Sequence, residues 1–207
     1  MKKVLLCTPR SGSTCAVKWL REKSGLLHTS HEEPFLDNNP IEFLENERKL
    51  GNEYCYKVHI HQIKDNINWF QNFYMPEEIY ILRRRNLWNQ YLSHLYQHEN
   101  KWRLTYTEDP LNIDKNPKEA VNYKNTLKLF LTWQYWLDDF DYDTIYYEDI
   151  EWKTTHIKFS KYINYEEYFT NIQEVKLYYE VLHHRYKERT WKIVERNLPN
   201  SLFTQGK

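Results

Sequence analysis

Apolar residues in this chain fall into short continuous runs separated by stretches of helical spacing. Val4 to Cys7 is one such run, closed near Pro9, the pattern of a strand buried on both faces of a parallel sheet. Tyr54 to Ile60, Glu78 to Leu82 and Thr144 to Tyr147 are further strand candidates. Between the first two, Thr14 to Lys23 reads as a helix. Leu87, Trp88, Tyr91, Leu92 and Leu95 recur at spacings that build one apolar stripe, with Asn86, Asn89, Gln90 and Ser93 on the other side of that helix. Asn116, Pro117 and Glu119 predict a helix start with proline at the first helical position, the helix running through Leu127, Phe130, Leu131 and Leu137. Ile172 to Asn197 predicts a last helix with a break near His183 and His184, while Leu36 to Asn52 and Arg103 to Asn116 read as polar and aromatic loops.

Strands separated by helical stretches require crossover connections, so the expected fold class is α/β, a three-layer α/β/α domain with a mainly parallel central sheet. No repeat, low-complexity tract or linker divides the chain, and a single domain over 1–207 is expected. The 41% hydrophobic and 28% charged residues are globular values that fit this expectation.

Lysine plus arginine equal aspartate plus glutamate, 29 against 29, so no overall field exists to hold a long polyanion, and nucleic acid is not an expected partner. A small anion needs only a few well-placed donors and stays compatible with this balance. Cys7, Cys15 and Cys55 are odd in number without a CxxC spacing, and Cys7 lies inside an apolar run where a small core residue is expected. Val4 to Cys7 is too short for a signal-peptide core, and no later run approaches the ~20 apolar residues of a membrane span. A cytoplasmic protein without stable membrane insertion is the expectation.

The strongest chemical signal is Thr8-Pro9-Arg10-Ser11-Gly12-Ser13-Thr14, which follows the first strand and opens the first helix. Backbone N–H groups at a helix start are unpaired and point outward, the helix dipole adds positive potential, and glycine lets the backbone wrap closely around an anion. Only four glycines occur, and Gly12 is one of them. Arg10 adds a fixed cation, and Ser11, Ser13 and Thr14 add hydroxyls. The plainer reading is a strand-to-helix turn in which Ser13 or Thr14 is only an N-cap. A nucleotide triphosphatase loop, G-x-x-x-x-G-K-[ST], is not matched, since both its first glycine and its lysine are missing.

Pro9 to Thr14 resembles the 5'-phosphosulfate loop of sulfotransferases that use PAPS, the 3'-phosphorylated adenylyl sulfate donor, particularly the bacterial branch with R-S-G-S-T. Tyr56-Lys57-Val58-His59-Ile60 resembles the K-x-H segment of the cytosolic branch, whose histidine is the catalytic base. Ile81-Leu82-Arg83-Arg84-Arg85-Asn86 and the helix to Ser93 are similar to that family's 3'-phosphate site, and Tyr147-Glu148-Asp149-Ile150 resembles its Y-E-D-L segment. The four segments occur in the family's order and span about 140 residues. The chain departs from the cytosolic branch in carrying Arg10 where that branch has lysine, and in having no glycine between Gly51 and Gly206 for the closing basic loop. Arg185, Lys187 and Arg189 are substitutes for that closure or else a solvated helix face.

The resemblance implies a P-loop-NTPase-like sulfotransferase fold, PAPS as donor and PAP as product, with no metal required. The acceptor is a small molecule, glycan or lipid presenting a hydroxyl or amine; oligomeric state is not readable. Arg10 and the amides of Ser11, Gly12, Ser13 and Thr14 would hold the phosphosulfate, and Lys57 would steady the bridging oxygen. His59 lies two residues after Lys57, so both side chains leave an extended strand on one face, and its imidazole suits a general base. Glu33, in His31-Glu32-Glu33-Pro34-Phe35, is the second base candidate, by likeness to a G-E-P-x-E-F segment of bacterial trehalose-type sulfotransferases. Arg84 is favoured over Arg85 for the 3'-phosphate, with Ser93 as a further donor. His59 and His61 repeat an i, i+2 spacing, but no CxxC or HExxH accompanies them to suggest a metal.

Each residue also has a plainer role: Lys57 as a strand-end lysine in water, His59 as a structural histidine, Glu33 as a loop carboxylate. A small-molecule or nucleoside kinase, with Glu148 or Asp149 holding magnesium, and a non-catalytic nucleotide-binding module are the alternative functions.

Overall fold

The computed structural model describes residues 2–26, 33–36, 39–51, 53–64, 76–100, 117–151 and 164–188. Two compact units are distinguished, Met1–Arg85 with Trp136–Trp152, and Asn86–Tyr135 with Lys153–Lys207. The first unit is α/β. Its strands β1 (Lys2–Cys7), β2 (Tyr54–His59), β3 (Glu78–Arg83) and β4 (Asp143–Tyr146) form a four-stranded sheet in the order β2-β1-β3-β4. Every pairing is parallel, β1 meeting β2 from Lys2↔Tyr54 to Cys7↔His59 and β3 from Lys3↔Glu78 to Leu6↔Ile81.

Register sorts the side chains between the two faces. Leu5, Cys7, Cys55 and Leu82 pack with Ala16, Val17 and Leu20 of helix α1 (Ser13–Lys23). The alternate residue Tyr56 turns the other way, its ring 6.2 Å from Phe43 and its hydroxyl 3.2 Å from Glu47 on helix α2 (Pro40–Leu50). The sheet therefore carries a helix on each face, which explains why Val4 to Cys7 is apolar at every position and fully buried. Burying each such aliphatic side chain contributes about 1.5–3 kcal/mol.

Helix α2 corrects the expectation of a loop over Leu36 to Asn52. Asn39 accepts the Glu42 N–H at 3.5 Å, Pro40 occupies the first turn and Gly51 closes the helix at φ 68°. A short 3-10 turn, Pro34–Leu36, precedes it, and helix α3 (Ile60–Ile63) continues directly from β2. The other segment read as a loop, Arg103 to Asn116, lies outside the described residues.

The described residues of the second unit form helices: α4 (Leu87–Asn100), most of α5 (Tyr123–Asp138), α6 (Tyr165–Tyr168) and α7 (Ile172–Lys187). Three sequence expectations change here. Helix α5 begins at Tyr123 rather than near Pro117, because the Lys118 N–H donates to Tyr168 O at 2.9 Å and its carbonyl accepts from Thr170 at 3.0 Å, drawing this segment into a bridge with Phe169. Helix α7 runs unbroken through His183 and His184; neither residue is a backbone breaker, and the His183 ring stacks on Tyr179 at 5.0 Å. Helix α4 is not one-sided, since Gln90 and Ser93 are buried along with Tyr91, Leu92 and Leu95. Gln90 accepts from Gln134 at 3.4 Å and Ser93 donates to the Tyr165 hydroxyl at 3.2 Å, so both polar groups are buried with partners.

Candidate functional site

The chain leaves β1 for β2 on one side and leaves β3 for β4 on the other, so the connections diverge between β1 and β3. In open parallel sheets the crevice at the carboxyl ends of such a strand pair is the preferred ligand position. Two of the sequence-predicted clusters flank it, the loop Thr8 to Gly12 after β1 and Arg84 after β3. They meet there: Arg84 Nε donates to the Ser11 carbonyl at 3.3 Å.

The loop takes its shape from two left-handed residues, Arg10 at φ 62° and Gly12 at φ 86°. Alternation of this kind can turn successive N–H groups to one side as an anion nest, but the Ser11 N–H is already spent on the Thr8 carbonyl at 3.4 Å, so the amides left for an anion follow it at the start of α1. Gly12 is the N-cap of α1, and no side chain caps the helix start, which sets aside the N-cap role for Ser13 or Thr14. Ser11 is fully buried, and its hydroxyl has no hydrogen-bond partner among the described residues. An uncapped helix start beside an unsatisfied buried hydroxyl is a surface lacking an acceptor, and a phosphate or sulfate oxygen would supply one.

Tyr147, the residue after β4, packs its ring against the loop. Its ring lies 4.1 Å from the Arg84 guanidinium carbon, and a Cβ on Gly12 would stand 2.2 Å from Tyr147 Cε2. Glycine is therefore required at position 12 twice over, by its φ and by the closeness of this ring.

Lys57 and His59 emerge from β2 on the face covered by α1 and converge on Glu33. Lys57 Nζ donates to Thr14 Oγ1 at 2.7 Å and lies 3.0 Å from Glu33 Oε2; His59 Nε2 lies 3.2 Å from Glu33 Oε1. The three side chains are 11%, 13% and 15% exposed for Lys57, His59 and Glu33. Gln62 adds a brace, accepting the His59 N–H at 2.8 Å while its amide donates to Glu33 Oε1 at 3.5 Å. The remaining ring nitrogen, Nδ1, faces the Cys7 thiol at 3.9 Å.

Burial opposes charge on Glu33, but hydrogen bonding and the positive charge of His59 and Lys57 outweigh it and hold its carboxyl at about 2. Burial likewise opposes the imidazolium of His59, and its contacts with Cys7 and Glu33 outweigh that and push it up to about 9. Burial resists a Cys7 thiolate too, yet the neighbouring His59 holds the thiol below its ordinary value.

The three arginines after β3 part company. Arg83 pairs with Asp138 at 2.7 Å, Arg84 turns to the loop, and the half-exposed Arg85 grips Asp149 with bonds of 2.5 and 2.7 Å while its N–H donates to Glu148. Ser93 belongs to the second unit. Arg185 and Lys187 are exposed on α7, and Arg189, like His31 and Glu32 beside Glu33, lies outside the described residues. The His59 and His61 rings are 5.6 Å apart, and among the described residues no group of three or more metal-ligand side chains occurs.

Three residues of this site draw no functional role from the sequence pattern: Tyr147 lies in the Tyr147-Glu148-Asp149-Ile150 segment without an assigned contact, and Cys7 sits in an apolar run. Gln62 stands three residues after His59, the spacing of a side chain that reaches back to an N-cap amide, and that signal was available. No protein-family model, curated protein or solved structure matches the chain.

Proposed function

We propose that the chain is a PAPS-dependent sulfotransferase with a P-loop-like sulfotransferase fold, transferring a sulfuryl group in line to a hydroxyl or amine. The observation that carries this reading is the Arg84 to Ser11 contact, which brings the donor clusters of two distant sequence segments to one crevice between diverging strands. Sulfuryl transfer asks mainly for positioning and for donors around equatorial and bridging oxygens. The α1 amides, the Ser11 hydroxyl and Arg10 suit the phosphosulfate. Lys57, tied to the loop through Thr14, suits the bridging oxygen as charge collects there. Arg84 suits the other phosphate, because Arg85 is committed to Asp149. His59 in its neutral form is the base that takes the acceptor proton, a role worth about 10²–10⁴ in rate.

The kinase alternative would recruit Glu148 or Asp149 to magnesium, and both carboxylates bond Arg85 instead. The test is calorimetry with PAP on the full chain. Arg10→Ala and Arg84→Ala should each weaken binding, and His59→Ala should keep binding while removing transfer from PAPS. Unchanged PAP affinity in both arginine variants would reject the assignment. PAP binding without transfer to any of a broad panel of hydroxyl and amine acceptors would favour the non-catalytic module.

A further inference from the structure

The two groups assigned to the transfer step are both covered by one carboxylate. Glu33 places Oε2 at Lys57 and Oε1 at His59, so a single internal anion stands where that reading requires a sulfuryl oxygen at Lys57 and an acceptor oxygen at His59. We propose that Glu33 is an internal stand-in for the reacting groups, an autoinhibitory contact that a tetrahedral anion bound at the loop must displace from Lys57. The inference rests on the sulfuryl-transfer reading for its catalytic meaning.

Three features support it. Both ring nitrogens of His59 face protein groups, Nε2 toward Glu33 and Nδ1 toward Cys7. Cys7 is fully buried at the end of the central strand β1, so the contact able to open to an incoming hydroxyl is the one with Glu33, which retains some exposure and precedes a short 3-10 turn. Second, Lys57 bridges the loop and the carboxylate, with Thr14 on one side and Glu33 on the other, so an anion on the loop and Glu33 compete for one ammonium. Third, Cys7 and Glu33 both favour the imidazolium against burial, so release of Glu33 removes one of the two supports and leaves Cys7 alone to oppose burial, a change in the direction of the neutral form a base requires. Glu33 as proton acceptor fits less well, since each of its oxygens already accepts from a cationic donor, and Gln62 adds a further bond to Oε1.

The experiment is titration of the full chain with inorganic sulfate and separately with PAP, followed by calorimetry and by the His59 ring resonances. Glu33→Gln should bind sulfate about tenfold more tightly than the parent, the effect of removing one competing negative charge. The His59 midpoint should also fall in this variant. Glu33→Asp, which keeps the charge but is a methylene too short to span both partners, should lie between the two and serves if the glutamine variant fails to fold. Sulfate affinity that is unchanged or weaker in Glu33→Gln would overturn the proposal. Arg10→Ala and Arg84→Ala separate the two levels: if both leave PAP binding intact, the site reading fails, whereas weakened PAP binding in them with unaltered sulfate affinity in Glu33→Gln rejects only the stand-in role.

Discussion

Replacing Gly12 with alanine should damage the anion loop far more than the same change at the other left-handed glycines of the described chain. At Gly12, Gly25 and Gly51 the backbone sits at φ 86°, 65° and 68°, so alanine incurs a similar conformational cost of about 1–2 kcal/mol at each. At Gly25 and Gly51 nothing lies within 4 Å of the added Cβ, and that cost is the whole effect. At Gly12 the new methyl group would stand 2.2 and 2.4 Å from two carbons of Tyr147, well inside the roughly 3.5–4 Å of favourable carbon contact. The ring must retreat by more than about 1 Å, and such overpacking adds about 1–3 kcal/mol. The expected loss at Gly12 is therefore about 2–5 kcal/mol.

The displacement should also be felt by Arg84, whose guanidinium lies against the same ring and holds Ser11. Urea unfolding of the three alanine variants measures the first effect, and PAP calorimetry measures the second. Only Gly12→Ala should combine the larger stability loss with weakened binding. A loss at Gly12 no greater than that at Gly25 would refute the argument, because it would mean that the ring contact carries no energy.

Three further outcomes are expected. The ascending limb of kcat/KM against pH should follow His59 of the free protein, near 9 rather than the usual imidazole range, and the limb of kcat should lie lower, since that profile reports the loaded state. Global stability should show the linkage of the same pair: the Glu33 contribution is present above the ordinary 4.5 and lost as pH falls toward 2, and the His59 contribution is full below 6.5 and lost as pH rises through 9. Their sum is greatest between about 4.5 and 6.5, and pH-dependent urea midpoints that Glu33→Gln flattens would bear this out. Finally, Arg85→Ala should leave PAP affinity within about twofold of the parent while Arg84→Ala lowers it at least tenfold, a contrast read by parallel calorimetry.

What could be read from the chain follows the range over which each signal acts. Strand β1 is legible because a strand covered by helices on both faces must be apolar at each position, and the shared face of Lys57 and His59 follows from a two-residue period. The start and stop of α2 were also written locally, in Asn39, Pro40 and Gly51, but only Leu44 of that helix is fully buried and its polar composition hides the periodicity. Other features are not local. Glu33 precedes Lys57 by 24 residues and His59 by 26, and no spacing announces that its carboxylate spans both. Lys118 is diverted from a helix start by Phe169, a partner 51 positions along, and local preference yields to that tertiary bridge. The close approach of Tyr147 to Gly12 is likewise a property of the assembled strand ends.

Arg10 occupies a backbone region that glycine adopts freely, that asparagine tolerates and that costs most other residues about 1–2 kcal/mol. Heat resistance and anion grip consequently pull this position in opposite directions. A library selected for thermal endurance alone should drift there toward glycine or asparagine, and the hardier survivors would be those that had given up the guanidinium assigned to the anion.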